Sequence, residues 1–181
     1  HGKTLLVSSL TNDDSHLDRW EEERERGLTI DLGFSFLKDP NGERISFVDV
    51  PGHEDFVNNM VVGATGIDLG LLVVAADDSV MPQTEEHLDI MDLLGITNYI
   101  VAINKIDKTE KEYIDLVEEE VQELFSRHKS CTVERIFRVS ALEKKNIDTL
   151  KEYILQKCSE LSVGKSDQGF FRLPVDRVFS I

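Results

Sequence analysis

Asn104-Lys105-Ile106-Asp107 follows the run Tyr99-Ile100-Val101-Ala102-Ile103, and the reading of these nine residues decides the fold. The first five are short, β-branched and almost wholly apolar, the pattern of a strand covered on both faces. In open α/β sheets the carboxyl ends of the strands face the ligand crevice. A carboxylate placed there, such as Asp107, can accept two parallel hydrogen bonds from the N1–H and exocyclic amine of guanine. Adenine has no such donor pair, and a site left with an unpaired buried carboxylate rejects it strongly. The plain alternative is a polar strand-to-helix turn, for which Asn and Asp are well suited. Alone, the motif leaves both readings open.

The chain opens on His1-Gly2-Lys3-Thr4 and continues Leu5-Leu6-Val7. This is the last part of G-x-x-x-x-G-K-[ST], a loop whose amides cradle phosphates. In that pattern Gly2 allows close backbone approach, Lys3 reaches the β- and γ-phosphates, and the Thr4 hydroxyl ligates Mg²⁺. The helix that follows points its N-terminal amides at the anion. A third piece, Ile45-Ser46-Phe47-Val48-Asp49-Val50-Pro51-Gly52-His53, runs an alternating strand into Asp49 and turns at Pro51-Gly52. Asp49 is placed to hold Mg²⁺ through water, as a strand-end Asp does in P-loop nucleotidases. The Gly52 N–H is placed to meet the γ-phosphate. Each piece has a bland reading as a turn or loop. The order Gly-Lys-Thr, Asp-x-x-Gly, Asn-Lys-x-Asp has none, and it predicts an α/β P-loop GTPase fold, a mostly parallel sheet flanked by helices, that takes GTP or GDP with Mg²⁺.

With all three motifs in place, the chain resembles the translational GTPases over nearly its whole length. Asp49-Val50-Pro51-Gly52-His53-Glu54-Asp55-Phe56 is similar to their second switch. The resemblance gives His53 the task of positioning the attacking water, which Gln performs in Ras-like proteins. Arg26-Gly27-Leu28-Thr29-Ile30 resembles the first switch. It implies that Thr29 closes on Mg²⁺ and the γ-phosphate, and that Leu28 is half of an apolar gate restraining His53. Met81-Pro82-Gln83-Thr84-Glu85-Glu86-His87 fits the helix after the fourth strand, and Ser140-Ala141-Leu142 matches the motif whose backbone N–H meets the guanine O6. His1 matches the phosphate loop and contributes backbone. Within the family the selenocysteine-specific branch matches best. Leu17-Asp18-Arg19-Trp20-Glu21-Glu22-Glu23-Arg24 leads into the first switch, and Thr29-Ile30-Asp31-Leu32-Gly33-Phe34 continues it.

That resemblance implies a cytoplasmic GTPase, stimulated by the ribosome, that converts GTP to GDP and phosphate. Its intact form would bring an aminoacyl-tRNA, selenocysteinyl-tRNA, to the ribosome, with neither a membrane nor DNA as partner. The alternatives within the family are an elongation factor Tu-like protein and the GTPase subunit of initiation factor two. Outside it stands a nucleotide-binding module without turnover. A metabolic or signalling P-loop enzyme explains Gly-Lys-Thr but not the His after Asp-x-x-Gly.

Composition agrees. The 181 residues, 40% of them hydrophobic, suffice for one good core. No run of eighteen apolar residues offers a membrane span. A formal charge of −15 argues against a general nucleic-acid surface. Cys131 and Cys158 have no metal-site spacing and read as buried or incidental thiols of a reducing compartment. The glutamate runs at 21–23 and 118–120 read as solvated helix faces, and His16, His87 and His128 as surface residues without a role.

The periodicities predict a first helix over 4–10, paired strands over 30–37 and 44–50 joined by a turn at 39–42, and a second-switch helix over 55–64. A buried central strand over 69–76, a helix over 83–94, a helix over 110–128 and a last core strand over 135–139 follow. Ile147, Leu150, Ile154, Cys158 and Leu161 mark one face of a final helix. Residues 1–162 are expected to form the GTP-binding domain, 163–169 a linker, and 170–181 the first strand of a β-barrel domain. There Phe171-Arg172-Leu173-Pro174-Val175-Asp176-Arg177-Val178-Phe179 resembles the family's entry to its second domain. Sheets of this kind carry the strand before the phosphate loop at their centre, so that strand and most of the loop are expected upstream of His1.

Overall fold

The computed structural model describes residues 2–11, 32–39, 42, 44–51, 61 and 66–163. Helix α1 (Lys3–Thr11) leads to a hairpin of β1 (Gly33–Lys38) and β2 (Arg44–Asp49). Then come β3 (Gly70–Ala75), α2 (Pro82–Leu93), β4 (Asn98–Asn104), a 3₁₀ turn (Ile106–Lys108), α3 (Lys111–Arg127), β5 (Thr132–Arg138) and α4 (Ile147–Val163). The strands β3, β4 and β5 form a parallel sheet in that order, and β1 pairs with β2 antiparallel from Gly33 opposite Asp49 to Lys38 opposite Arg44. The α/β fold with a parallel sheet is as the sequence predicts.

Strand alternation divides the core into two layers. Val101 and Ile103 of β4 face Leu88 of α2 and Val117, Val121 and Leu124 of α3. Ile100 and Ala102 face the other way, against Leu6 and Leu10 of α1 and Leu150 and Ile154 of α4. β4 is thus buried on both faces, which is why it reads as an unbroken apolar run. In α3, Ile114, Val117, Val121, Leu124 and Phe125 are all buried, as their three- and four-residue spacing requires. Pro82 occupies the first turn of α2, where a missing N–H costs nothing. That helix closes on Gly95, at φ +83°, with the Gly95 and Ile96 amides donating to the carbonyls of Asp92 and Met91 at 2.9 and 3.0 Å.

Among the described strands β4 lies between β3 and β5. Several expectations need correction. The strands of the hairpin and β3 do not join, and a cleft of about 690 Å³ opens between them, lined by β2, β3 and the end of α4. The last strand starts at Thr132, three residues early, and only Phe137 in it is fully buried, because an edge strand needs no continuous apolar run. Glu118, on the otherwise exposed glutamate face, is also ion-paired: it accepts from Arg138 Nε at 2.7 Å and Nη2 at 2.6 Å. Nor is His128 idle. Its Nδ1 lies 2.9 Å from the Leu124 carbonyl and its Nε2 2.8 Å from Asp89 Oδ1. Two acceptors call for two ring protons, and the Leu124 carbonyl and Asp89 raise its pKa. Cys131 is buried and Cys158 half-buried, both as free thiols. Among the described residues no helix is long and apolar enough to cross a membrane. The expected second-switch helix over 55–64 and the segment 164–181 lie almost wholly or wholly outside the described residues.

Candidate nucleotide-binding site

The phosphate end begins at Gly2, whose φ is +77°. A Cβ there would stand 2.9 Å from Asn104 Nδ2, so only glycine permits both the left-handed backbone and the close approach. Its carbonyl accepts from the Leu6 amide at 3.0 Å, which starts α1 at once. Lys3 follows, half-buried. Burial lowers its pKa and the Asp49 carboxylate partly offsets this. Thr4 Oγ1 donates to Asp49 Oδ2 at 2.7 Å, across forty-five residues of sequence. Asp49 is 4% exposed at the end of β2. A hydroxyl and one carboxylate are hard oxygen donors, the set that Mg²⁺ takes when phosphates and water supply the rest. No group of three His, Cys, Asp or Glu side chains among the described residues offers a competing all-protein metal cage.

The base end is organised by Asn104, the last residue of β4, only 2% exposed. Its Oδ1 accepts from the Ala141 amide at 3.0 Å, and its own carbonyl accepts from the Ala76 amide at 2.8 Å. One side chain therefore lies beside Gly2 while it is bonded to the loop after β5. That second loop is closed on itself: the amide and carbonyl of Ser140 pair with the carbonyl and amide of Lys145 at 3.1 and 3.0 Å. Ser140 Oγ accepts from the Glu143 amide at 3.0 Å. Ser140 and Ala141 are buried and Leu142 is exposed. Asp107 sits in the 3₁₀ turn with its side chain exposed. Its carboxylate is therefore open to solvent in this structure.

The structure thus brings Gly2, Lys3, Thr4 and Asp49 together at one end, and Asn104, Ser140 and Ala141 at the other, with Lys105, Asp107 and Leu142 on the rim. His1, Leu28, Thr29, Gly52 and His53 lie outside the described residues. Sequence reasoning missed four contributors. Ser9 Oγ lies 2.8 Å from the Leu5 carbonyl and 3.2 Å from that of Ala141, tying α1 to the base loop. Asn146 holds a left-handed backbone at φ 60° and donates from Nδ2 to the Arg138 carbonyl at 2.8 Å. Asp77 and Asp78 engage Lys105. Asn at a positive φ is a legible signal; a serine in a helix is not. His87 also departs from expectation: burial and the charge of Lys3 lower its pKa to about 4, so it is neutral at pH 7.

A family model for the elongation factor Tu GTP binding domain matches residues 1–160. The chain belongs to that family. As a GTP-binding domain it is 46% identical over 181 residues to the selenocysteine-specific elongation factor of Desulfomicrobium baculatum, a match that covers 100% of this chain and 28% of that protein. It is 47% identical to elongation factor 1-alpha of Methanopyrus kandleri, but over 143 residues, 68% of this chain and 33% of that one. Among solved structures, a bacterial selenocysteine-specific elongation factor superposes with a TM-score of 0.80 at 36% identity, covering 93% of this chain and 28% of that one. The chain therefore spans between about a quarter and two fifths of the selenocysteine-specific relatives it matches, 28% to 39% of their length.

Proposed function

We propose that this chain is the GTPase domain of a translation factor that delivers selenocysteinyl-tRNA to the ribosome in the cytoplasm. The observation that supports the GTP reading most is Asn104, which lies beside Gly2 and accepts from the Ala141 amide, next to both expected ends of one ligand site. The selenocysteine reading is supported by a likeness to selenocysteine-specific factors along the entire chain, whereas two elongation factor 1-alpha relatives are matched over 68% and 91% of it.

In this proposal GTP is hydrolysed to GDP and phosphate. Thr4, Thr29 and, through water, Asp49 would hold Mg²⁺, which would supply positive charge against the phosphates. Lys3 adds a second positive charge there. Asp107 accepts the guanine N1–H and amine, and the amides of the loop at 140–142 face its O6. His53 orients the attacking water, and Leu28 restrains His53 until the ribosome acts. The Gly52 amide reports the γ-phosphate, so its loss reorders both switches. Residues 163–169 are a linker, and 170–181 begin a β-barrel domain.

The test uses the full-length protein. GTP should increase its affinity for selenocysteinyl-tRNA over that for seryl-tRNA, and ribosomes should accelerate phosphate release. Equal affinity for the two tRNAs would move the chain to a general elongation factor. Absence of ribosome-dependent phosphate release would leave a binding module.

A further inference from the structure

β3 and β4 are parallel and paired in register, with Ala75 opposite Asn104. Residues that follow two such strands emerge side by side at the carboxyl edge of the sheet. The turn after β3 therefore runs along the base-reading motif after β4. Ala76 donates its amide to the Asn104 carbonyl at 2.8 Å. The next two residues take the ammonium of Lys105. Its Nζ donates to Asp77 Oδ1 at 2.8 Å and Oδ2 at 3.1 Å, and to Asp78 Oδ2 at 3.2 Å. Lys108 Nζ adds a weaker contact, 3.8 Å from Asp77. The Lys105 and Asp77 side chains are 26% and 29% exposed, more sheltered than an open surface pair.

Lys105 also has a left-handed backbone, φ 64°. A lysine adopts that conformation only where its surroundings hold it. Its restraints include the Lys108 amide donating to the Lys105 carbonyl at 3.0 Å, the Ile106 amide donating to the Val139 carbonyl at 3.3 Å, the bond to the Asn104 carbonyl and the grip on the ammonium. A lysine held at its head presents four methylene carbons, which lie readily along apolar surface while the charge stays solvated. The face of a purine ring is such a surface, and Lys105 stands in sequence between Asn104 and Asp107.

We propose that Asp77 and Asp78 are positioning residues for the nucleotide, acting through Lys105: they hold its ammonium at the β3 side of the site and so lay its stem along the face of the bound base. The proposal rests on the guanine-nucleotide reading given above. It makes a prediction whose sign is unusual. Removing two carboxylates from a chain of formal charge −15 should by itself favour an anionic ligand. A loss of affinity on their removal opposes that general effect and points to Lys105 as the intermediary.

The measurement is GDP dissociation and equilibrium binding with the full-length protein and a fluorescent GDP analogue. GDP is chosen because it lacks the γ-phosphate on which the switches depend. The double variant Asp77→Asn, Asp78→Asn should weaken binding about threefold to fivefold, the scale of a partly sheltered ion pair, mainly through faster dissociation. Asp77→Glu, which keeps the charge, should retain most of the affinity. Lys105→Met should weaken binding too, and adding both Asn substitutions to it should cost nothing more, since residues acting through one partner are not additive. Unchanged or tighter binding in the double Asn variant would overturn the proposal, as would a full additional loss in the Lys105→Met background. Failure of the unmodified protein to bind GDP would instead remove the nucleotide reading on which the proposal stands.

Discussion

Replacing His53 with alanine in the full-length protein should lower ribosome-stimulated GTP hydrolysis by at least about a hundredfold, the scale at which a misplaced reacting group is felt. Affinity for GTP and GDP should stay close to that of the unmodified protein. The two expectations separate because orienting a water matters only along the reaction path, whereas the ground-state complex is held by other groups. Those groups stand in the described part of the site: Gly2 beside Asn104, Lys3 beside Asp49, and Thr4 bonded to Asp49. His53 follows Asp49 by four residues, close enough in sequence to serve the same phosphate end. Single-turnover hydrolysis on ribosomes measures the effect. A normal rate would remove His53 from the chemistry, and a collapse of nucleotide binding would make it a structural residue.

The second large effect concerns the cleft between the two sheets. Phe47 of β2, Leu69 before β3 and Leu71 within it are only partly buried, although they pack on the layer formed with α1 and α4. β2 pairs with β1 alone and β3 with β4 alone among the described strands. A strand laid between them would pair both edges and cover these side chains. Each buried amide left without a partner costs on the order of 1–3 kcal/mol, against a net domain stability of about 5–15 kcal/mol. With those edges unpaired, residues 1–181 are expected to unfold without a sharp transition and to aggregate. Supplying a strand that pairs with both edges should make unfolding cooperative. Calorimetry on both forms provides the comparison. Cooperative unfolding of residues 1–181 alone would show that the cleft tolerates being open.

What the sequence made legible were patterns with a period or a fixed order. The buried run of β4 and the apolar stripe of α3 follow from burial on two faces and on one stripe, and both are where they were expected. Two of the nucleotide motifs join an unusual residue set to a strand end, Asp49 on β2 and Asn104 on β4, and the third joins Gly2-Lys3-Thr4 to the start of α1. Partners across the fold were harder to read. Arg138 could have met any carboxylate, and its choice of Asp115 and Glu118 depends on how α3 crosses β5. His128 looked like a lone surface histidine because Asp89 is thirty-nine residues away. The pairing of Lys105 with Asp77 and Asp78 was within reach, since neighbouring parallel strands must end side by side. It needed the strand order, which no local pattern contains. An apolar run reports burial of a strand's faces and says nothing about its edges, so β3 reads like β4 although only β4 has neighbours on both sides among the described strands.

The most direct test of the account is the base itself. Asp107 is exposed in the 3₁₀ turn after β4, so its hydrogen bonds to guanine would become buried only as the base arrives. Asp107→Asn turns a pair of acceptors into one acceptor and one donor. Guanine then loses a bond and meets a donor against its own N1–H, while xanthine, with a carbonyl at position 2, fits better. In the full-length protein, titration with GTP and XTP should show GTP affinity reduced at least about tenfold, or roughly 1.4 kcal/mol, with preference moved toward XTP. Unchanged GTP affinity with no gain for XTP would contradict the assignment of Asp107 and the guanine site built around Asn104.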